Sequence, residues 1–118
     1  MDLITLSLDF LTQIKYWHFK TPEFETHVVL GELYDDLGGP IDELCEVSLA
    51  LYPEQANDSY SYDVKKFESK EDCINYILQY NSAFDKAKKD YSDSTVVTLI
   101  DNVKIILLNK IYKLRLEC

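Results

Sequence analysis

Apolar residues recur every three or four positions over residues 2 to about 18. This spacing is typical of an α helix that turns one side toward a core. A second apolar stripe runs beside the first, so the predicted helix is apolar on more than half of its circumference, as expected for an internal helix of a bundle. The first stripe comprises Leu3, Leu6, Phe10, Ile14 and Trp17, and the second comprises Ile4, Leu8 and Leu11.

A second helix is predicted from residue 22 to about residue 51. Thr21 precedes Pro22, an order typical of an N-cap followed by proline at the first helical position. Gly38-Gly39-Pro40 predicts a kink or a short break, after which the helix resumes. Tyr52-Pro53 predicts its end. The inward positions are predicted to be Phe24, His27, Leu30, Leu33 or Tyr34, and Leu37.

Residues 53 to 68 are polar and lack a helical period, which predicts a long connection. Fully extended, such a segment spans roughly 50 Å, more than the ~40 Å of a 25-residue helix. It can therefore return the chain to the opposite end of a bundle. Tyr60 and Tyr62 are expected either to pin this connection to the helices or to form a contact patch.

Two further helices are predicted after the connection. Ser69, with Asp72 three residues later, predicts the start of the third helix, which runs to about Tyr91. Asp93 or Ser94 is expected to cap the fourth. The inward residues are predicted to be Cys73, Ile77, Tyr80, Phe84, Ala87 and Tyr91 in the third helix, and Val96, Leu99, Ile100, Val103, Ile106, Leu107, Ile111 and Leu114 in the fourth.

The three connections are therefore short, long and short. A bundle with one long crossover between helices 2 and 3 is the ferritin-like arrangement. We predict an all-α, ferritin-like four-helix bundle that occupies residues 1–118 as a single domain. The hydrophobic fraction of 47 % and the total of six glycines and prolines agree with long helices and few loops.

The charge and the cysteines restrict the classes of function. A net charge of −9 argues against nucleic-acid binding, because phosphate contacts require a positive surface. No apolar run is long enough for a membrane span, and the first eleven residues lack the basic region and cleavage site of a signal peptide. The three cysteines, Cys45, Cys73 and Cys118, have unrelated spacings, which favours free thiols in a reducing compartment. An intracellular location is expected.

Candidate metal ligands are concentrated between Trp17 and Glu46. His18 ends the first predicted helix and His27 lies in the second, so both can face the same interior region. Asp42 and Glu46 are four residues apart and share a helix face. Imidazoles and carboxylates on facing helices are the ligands of bundle-core metal sites. His27 and Asp42 lie about 22 Å apart along a helix, so one ion can join them only across two antiparallel subunits.

This segment resembles the Dps-type miniferritins, which place a histidine on the first helix, a histidine early in the second and an Asp-x-x-x-Glu pair later, with the iron site between two subunits. It is similar, more closely still, to short ferritin-like proteins of phages and large DNA viruses, over about 30 of the 118 residues. The residues that carry the resemblance are His18-Phe19-Lys20-Thr21, Phe24, His27, Leu30-Gly31-Glu32-Leu33-Tyr34-Asp35, and Ile41-Asp42 with Glu46.

The resemblance implies a site for iron or another divalent transition metal at His18, His27, Asp42 and Glu46, in the host cytoplasm or in a virion. The chain departs from the family in three ways. Gly31 stands where miniferritins have a further acidic ligand, the loop between the histidines is shorter, and Phe24 replaces the Glu of a ferritin Glu-x-x-His pair. At most a weak ferroxidase-like activity is expected, and the absence of catalysis is favoured.

Two functional hypotheses stay open. The first is a ferritin-like protein that binds iron or a similar ion at these four residues, between the subunits of a homodimer. The second is a non-catalytic virion or accessory scaffold without metal, which binds copies of itself or other viral proteins. In the second, a histidine on a helix face is a core or capping residue bonded to a neighbouring group, and the acids after Pro40 interact with the helix dipole. Neither involves nucleic acid or membrane.

Overall fold

The computed structural model of the chain describes residues 2–55 and 59–116. Within these residues there are four α helices and no β strand, so the all-α prediction is confirmed. One turn of 3-10 helix, Pro53–Gln55, follows the second helix and was not anticipated from the sequence. The helices are α1 (Leu3–Lys20), α2 (Phe24–Leu51), α3 (Lys70–Ala87) and α4 (Ser94–Arg115).

The helices pack in a pattern compatible with a four-helix bundle. α2 packs mainly against α1 and α4, and α3 packs mainly against α4. With 28 residues, α2 spans about 42 Å, close to the longest dimension of the described chain, 44 Å. α1 and α3 approach each other at few positions. Hydrogen bonds from both helices reach the connection between α2 and α3, which lies partly between them.

The start of α2 differs from the prediction. Thr21 is the C-cap of α1, because its N–H donates to the carbonyl of Trp17. Its extended backbone is the conformation favoured for a residue before proline. The N-cap of α2 is Glu23, whose N–H donates to the hydroxyl of Thr21 at 3.3 Å. The helix therefore begins at Phe24, two residues later than predicted.

The prediction that Phe24 faces inward is wrong. Its side chain is 74 % exposed, whereas Thr26 is buried. At 100° per residue, Thr26 continues the buried stripe of α2 toward its N-terminus, and Phe24 points well away from that stripe. The buried apolar residues of the stripe are Leu30, Leu33, Leu37, Ile41 and Leu44.

A kink or a short break was predicted at Gly38-Gly39-Pro40; α2 continues as one helix through these residues, so the break is wrong. Pro40 has no N–H and leaves the carbonyl of Asp36 without its usual helical hydrogen bond. Leu37 before the proline and Ile41 after it are both buried. Packing on both sides therefore holds the two halves in one helix. The end at Leu51 agrees with the prediction.

The caps of α3 and α4 confirm the sequence predictions. The hydroxyl of Ser69 accepts a hydrogen bond from the N–H of Asp72 at 3.0 Å, and the carboxylate of Asp93 accepts one from the N–H of Thr95 at 2.9 Å. α3 ends at residue 87, four residues earlier than predicted. Tyr91 is nevertheless buried, because its ring packs edge-on against Tyr52 with centroids 5.2 Å apart.

The core lies between the four helices, and most predicted inward residues occupy it. Trp17, Phe10 and Phe84 are the largest of its fully buried side chains. Cys73 is buried and Cys45 is half-buried, both as free thiols. Cys118 lies outside the described residues.

Candidate functional site

His18 and His27 lie together at the turn between α1 and α2. Nδ1 of His18 is 2.8 Å from the carbonyl oxygen of His27, and Nδ1 of His27 is 2.7 Å from the carbonyl oxygen of His18. The two rings stack with their centroids 3.9 Å apart and their planes inclined by 16°. Each imidazole thus bonds to the main chain of the residue that carries the other. We name this reciprocal arrangement the histidine clasp.

The partners of the clasp fix where its protons are. A carbonyl oxygen can only accept, so each Nδ1 must carry a hydrogen, and each neutral ring keeps its lone pair on Nε2. The carbonyl of His18 belongs to the last turn of α1, where carbonyls have no partner within the helix. His27 supplies that partner. The clasp therefore caps the end of α1 and fixes the direction in which α2 leaves the turn.

Gly31 provides the space that the clasp occupies. A Cβ atom at position 31 would lie 2.8 Å from Cε1 and 3.0 Å from Nδ1 of His18. Such a contact requires the ring of His18 to move. The ring of His18 therefore occupies the space that a side chain at position 31 would use.

Two exposed aromatic rings flank the clasp. The ring of Phe19 lies 5.3 Å from that of His18, and the ring of Phe24 lies 6.4 Å from that of His27. Phe19 is 68 % exposed and Phe24 is 74 % exposed. The turn between α1 and α2 therefore presents two uncovered aromatic side chains on either side of two half-buried imidazoles.

Asp42 and Glu46 do not join the histidines within one chain. Both are exposed on α2, and Asp42 lies four helical turns, about 22 Å, beyond His27. Within residues 2–55 and 59–116, no group of three or more His, Cys, Asp or Glu side chains is arranged to hold a metal ion. The donors in the described part of one chain therefore do not form an iron site, and a site at the four predicted residues requires a second chain.

Sequence reasoning missed the role of Gln13, which is fully buried on α1. Its Nε2 donates to the carbonyl of Lys65 at 3.0 Å, and its Oε1 accepts from the N–H of Lys65 at 2.7 Å. The hydroxyl of Tyr62 donates to the same Oε1 at 2.8 Å, and the indole N–H of Trp17 donates to the carbonyl of Lys65 at 2.9 Å. The sequence feature that could have revealed this role is a polar amide at an inward position of the helix, between Phe10 and Trp17.

Tyrosines attach the same connection at a second point. The hydroxyl of Tyr60 donates to the carboxylate of Asp9 at 2.6 Å. Burial raises the pKa of Tyr60 to about 12, and the hydrogen bond and charge of Asp9 act in the same direction. Burial also raises the pKa of Tyr76, whose hydroxyl is bonded to that of Tyr62. The expectation that Tyr60 and Tyr62 pin the connection is confirmed.

Lys110 lies in the C-terminal half of α4, and its side chain is only 5 % exposed. Nζ lies 2.8 Å from Asp36 and 3.5 Å from Glu32. Burial by itself would lower the pKa of Lys110, but these two carboxylates outweigh it and raise the pKa. The sequence feature that could have revealed this burial is the position of Lys110 in the buried stripe of α4, three residues after Leu107 and four before Leu114.

No helix in the described parts of the chain has both the length and the apolar character needed to cross a membrane. Neither the curated proteins nor the solved structures contain a match to the chain. One family model matches residues 18–114, which includes the clasp, Gly31 and all of α2 and α3. The chain therefore belongs to that family, a family of unknown function designated DUF5856.

Proposed function

We propose that this protein is a non-catalytic scaffold or interaction protein, built on a ferritin-like bundle, of a phage or a large DNA virus. The observation that carries the proposal is the histidine clasp. Both imidazoles are committed to main-chain carbonyls, and the ring of His18 fills the space of the missing acidic ligand at Gly31. Residues that resemble metal ligands thus serve to fix the turn between α1 and α2.

The order of packing supports the ferritin-like part of the proposal. α1 lies next to α2 and α3, and α4 lies next to the same two helices. This arrangement, with the long connection between the second and third helices, is compatible with the one-crossover topology of ferritin-like folds. Residues 52–69 form that connection, apart from residues 56–58, which are not described.

Exposed apolar residues support the interaction part of the proposal. Phe19 and Phe24 flank the turn, and α4 exposes further large side chains, Ile105 and Tyr112 among them. Contiguous exposed apolar surface on a small protein is typical of a binding site for another macromolecule.

The test compares metal uptake by the wild type with that by His27→Ala. Elemental analysis of protein purified without chelators or a histidine tag should find less than stoichiometric iron. Anaerobic titration with ferrous iron should give superimposable curves for the two proteins. Stoichiometric uptake by the wild type that is lost in His27→Ala would contradict the scaffold proposal.

A second candidate is a metal site between two subunits, and one observation favours it. A histidine that donates Nδ1–H to a carbonyl and keeps a lone pair on Nε2 has the orientation typical of metal-ligating histidines. His18 and His27 both meet this condition. Asp42 and Glu46 of a second copy would supply the carboxylates.

A metal site between two subunits requires both the histidines and the two acids. Ferrous or cobaltous ion should bind the wild type, and binding should be lost both in His27→Ala and in the double variant Asp42→Asn/Glu46→Gln. Glu43→Gln, at an exposed position between the two acids, is the matched control and should bind as the wild type does. Binding that survives the double variant would exclude this site.

A further inference from the structure

A row of large apolar side chains lies on the outer side of α4. The exposed fractions are 65 % for Ile105, 47 % for Leu108, 63 % for Tyr112 and 54 % for Leu116. Their spacing of three, four and four residues places them on one face of the helix. That face is opposite the buried one, which comprises Val96, Ile100, Val103, Leu107, Ile111 and Leu114. We name these four exposed residues the α4 stripe.

The α4 stripe continues onto α2. Leu116 lines a surface groove together with Phe24 and Val28, which are 74 % and 39 % exposed. With about 150–250 Å² for each aromatic side chain and somewhat less for each aliphatic one, the six side chains present on the order of 600 Å². A stable protein interface buries roughly 800 Å² on each partner. The stripe and its extension therefore supply most of the apolar area that such an interface requires.

We infer that a second copy of this chain covers the α4 stripe, with the two α4 helices antiparallel about a two-fold axis beside Leu108. In this register Ile105 packs against Tyr112 of the partner subunit, and Leu108 packs near the axis against Leu108 of the partner subunit. A face that pairs with itself in this way forms a closed dimer. The inference rests on the proposed function and names the partner of the scaffold.

The charges along α4 favour this occupant. α2 carries seven acidic residues and no Lys or Arg, whereas α4 carries one acidic residue and four basic ones. Three of the four, Lys104, Lys110 and Lys113, are neutralised by ion pairs with α2 or α3. Self-association through α4 therefore avoids the repulsion that contact between acidic α2 surfaces would cause.

The antiparallel register also gives Arg115, the fourth basic residue of α4, an acidic partner. Asp101 lies one turn before Ile105, and Arg115 lies just before Leu116, on the same flank of the stripe. A two-fold axis beside Leu108 brings Asp101 close to Arg115 of the partner subunit, and the symmetry repeats the pair. Asp101 already pairs with Lys88, and its side chain is still 49 % exposed, so its carboxylate is accessible to a second partner.

The test measures the mass of the protein by sedimentation equilibrium from micromolar to millimolar concentration. The wild type should form a dimer. Leu108→Glu should weaken self-association by about 100-fold or more, since it places a charge on the axis twice. Leu51→Glu is the matched control, because Leu51 is 48 % exposed at the end of α2, and it should dimerise as the wild type does. Ile105→Lys gives a second disrupting variant if Leu108→Glu fails to fold.

A charge exchange tests the register. Arg115→Glu should weaken the dimer by roughly 10-fold, because it opposes Asp101 of the partner subunit. Asp101→Lys combined with Arg115→Glu should recover most of the affinity. A wild type that stays monomeric, or a dimer that Leu108→Glu leaves intact, overturns the inference. A monomer without metal overturns self-association alone, whereas histidine-dependent metal uptake overturns the scaffold proposal.

Discussion

α1 and α4 both pack against α2, but they differ in how the rest of their surface is covered. On α1, buried side chains hold the connection to α3 by hydrogen bonds. Asp9, Gln13 and Trp17 bond to the connection between residues 60 and 65. His18, at the end of the same helix, bonds to the start of α2. The outer side of α4 instead presents the apolar α4 stripe.

The contrast shows two ways in which a helix surface is covered. A buried amide such as Gln13 has to find hydrogen-bond partners, and a main-chain segment with both a donor and an acceptor meets that need. An apolar stripe makes no such directional demand and is satisfied by any complementary apolar surface. α1 is therefore covered by its own chain with a defined register, whereas the stripe on α4 remains available to a second molecule.

The largest effect on stability is expected from Gln13→Ala. This change removes three hydrogen bonds, leaves the N–H of Lys65 without its acceptor and opens a cavity in the core. We expect a loss of about 3 kcal/mol in the free energy of unfolding. Urea denaturation followed by circular dichroism measures it. Gln79→Ala, at an exposed position on α3, is the control and should change stability little. Equal effects of the two substitutions would show that the hydrogen bonds of Gln13 do not hold the connection in place.

Gly31→Ala should have the next largest effect. Its Cβ displaces the ring of His18 and disrupts the clasp at the end of α1, at a cost of about 1–2 kcal/mol. In a His18→Ala background the same change should be neutral or stabilising, because alanine is favoured over glycine inside a helix. A thermal-unfolding double-mutant cycle measures this coupling. A cost that is equal in both backgrounds would mean that the ring does not fill the space.

A smaller effect, which depends on pH, is expected where α4 meets α2. The hydrogen bond and charge of Lys113, assisted by Lys110, lower the pKa of Glu32 below its ordinary value. A group whose pKa is lowered by folding stabilises the fold above its unfolded pKa, and this contribution is lost as the pH falls through the folded pKa. The difference in Tm between the wild type and Glu32→Gln should therefore be present at pH 7 and disappear in acid. A difference as large at pH 3 as at pH 7 would contradict this assignment.

The smallest effect on the monomer is expected from Ile105→Gln on the α4 stripe. The side chain is 65 % exposed, so its replacement should change the free energy of unfolding by less than about 0.5 kcal/mol at low protein concentration. Chemical denaturation under dilute conditions measures it. A large loss there would show that the stripe contributes to the fold of the single chain and is not simply an uncovered surface.

The helices were predictable because each carries its own periodic pattern and end signals. Ser69 and Asp93 cap as their local sequences indicate. Pro40 was misleading, since a break signal does not show that buried residues on both sides hold the helix together. Phe24 was misleading because it lies three residues before His27, which is a helical spacing, but at 100° per residue it points about 120° away from the buried Leu30.

Of the candidate site, the sequence predicted only that the two histidines lie close together. The spacing of His18 and His27 across a short turn predicted that they meet. The stacking of their rings and their bonds to carbonyls depend on the angle between two helices, which spacing does not give. The sequence shows that Gly31 has no side chain that could bind a metal. It does not show that the ring of His18 packs against Gly31, because this contact also depends on the angle between the helices. The partners of Gln13 are about 50 residues away and left no local pattern.

The bonds between Gln13 and residue 65 involve the peptide group of residue 65 and not its side chain. Relatives of this protein can therefore exchange the amino acid at 65 almost freely and keep the attachment, whereas the amide at 13 has no equivalent substitute. Proline is the exception at 65, because it has no hydrogen to donate. Among natural variants, we therefore expect residue 65 to vary and Gln13 to be conserved.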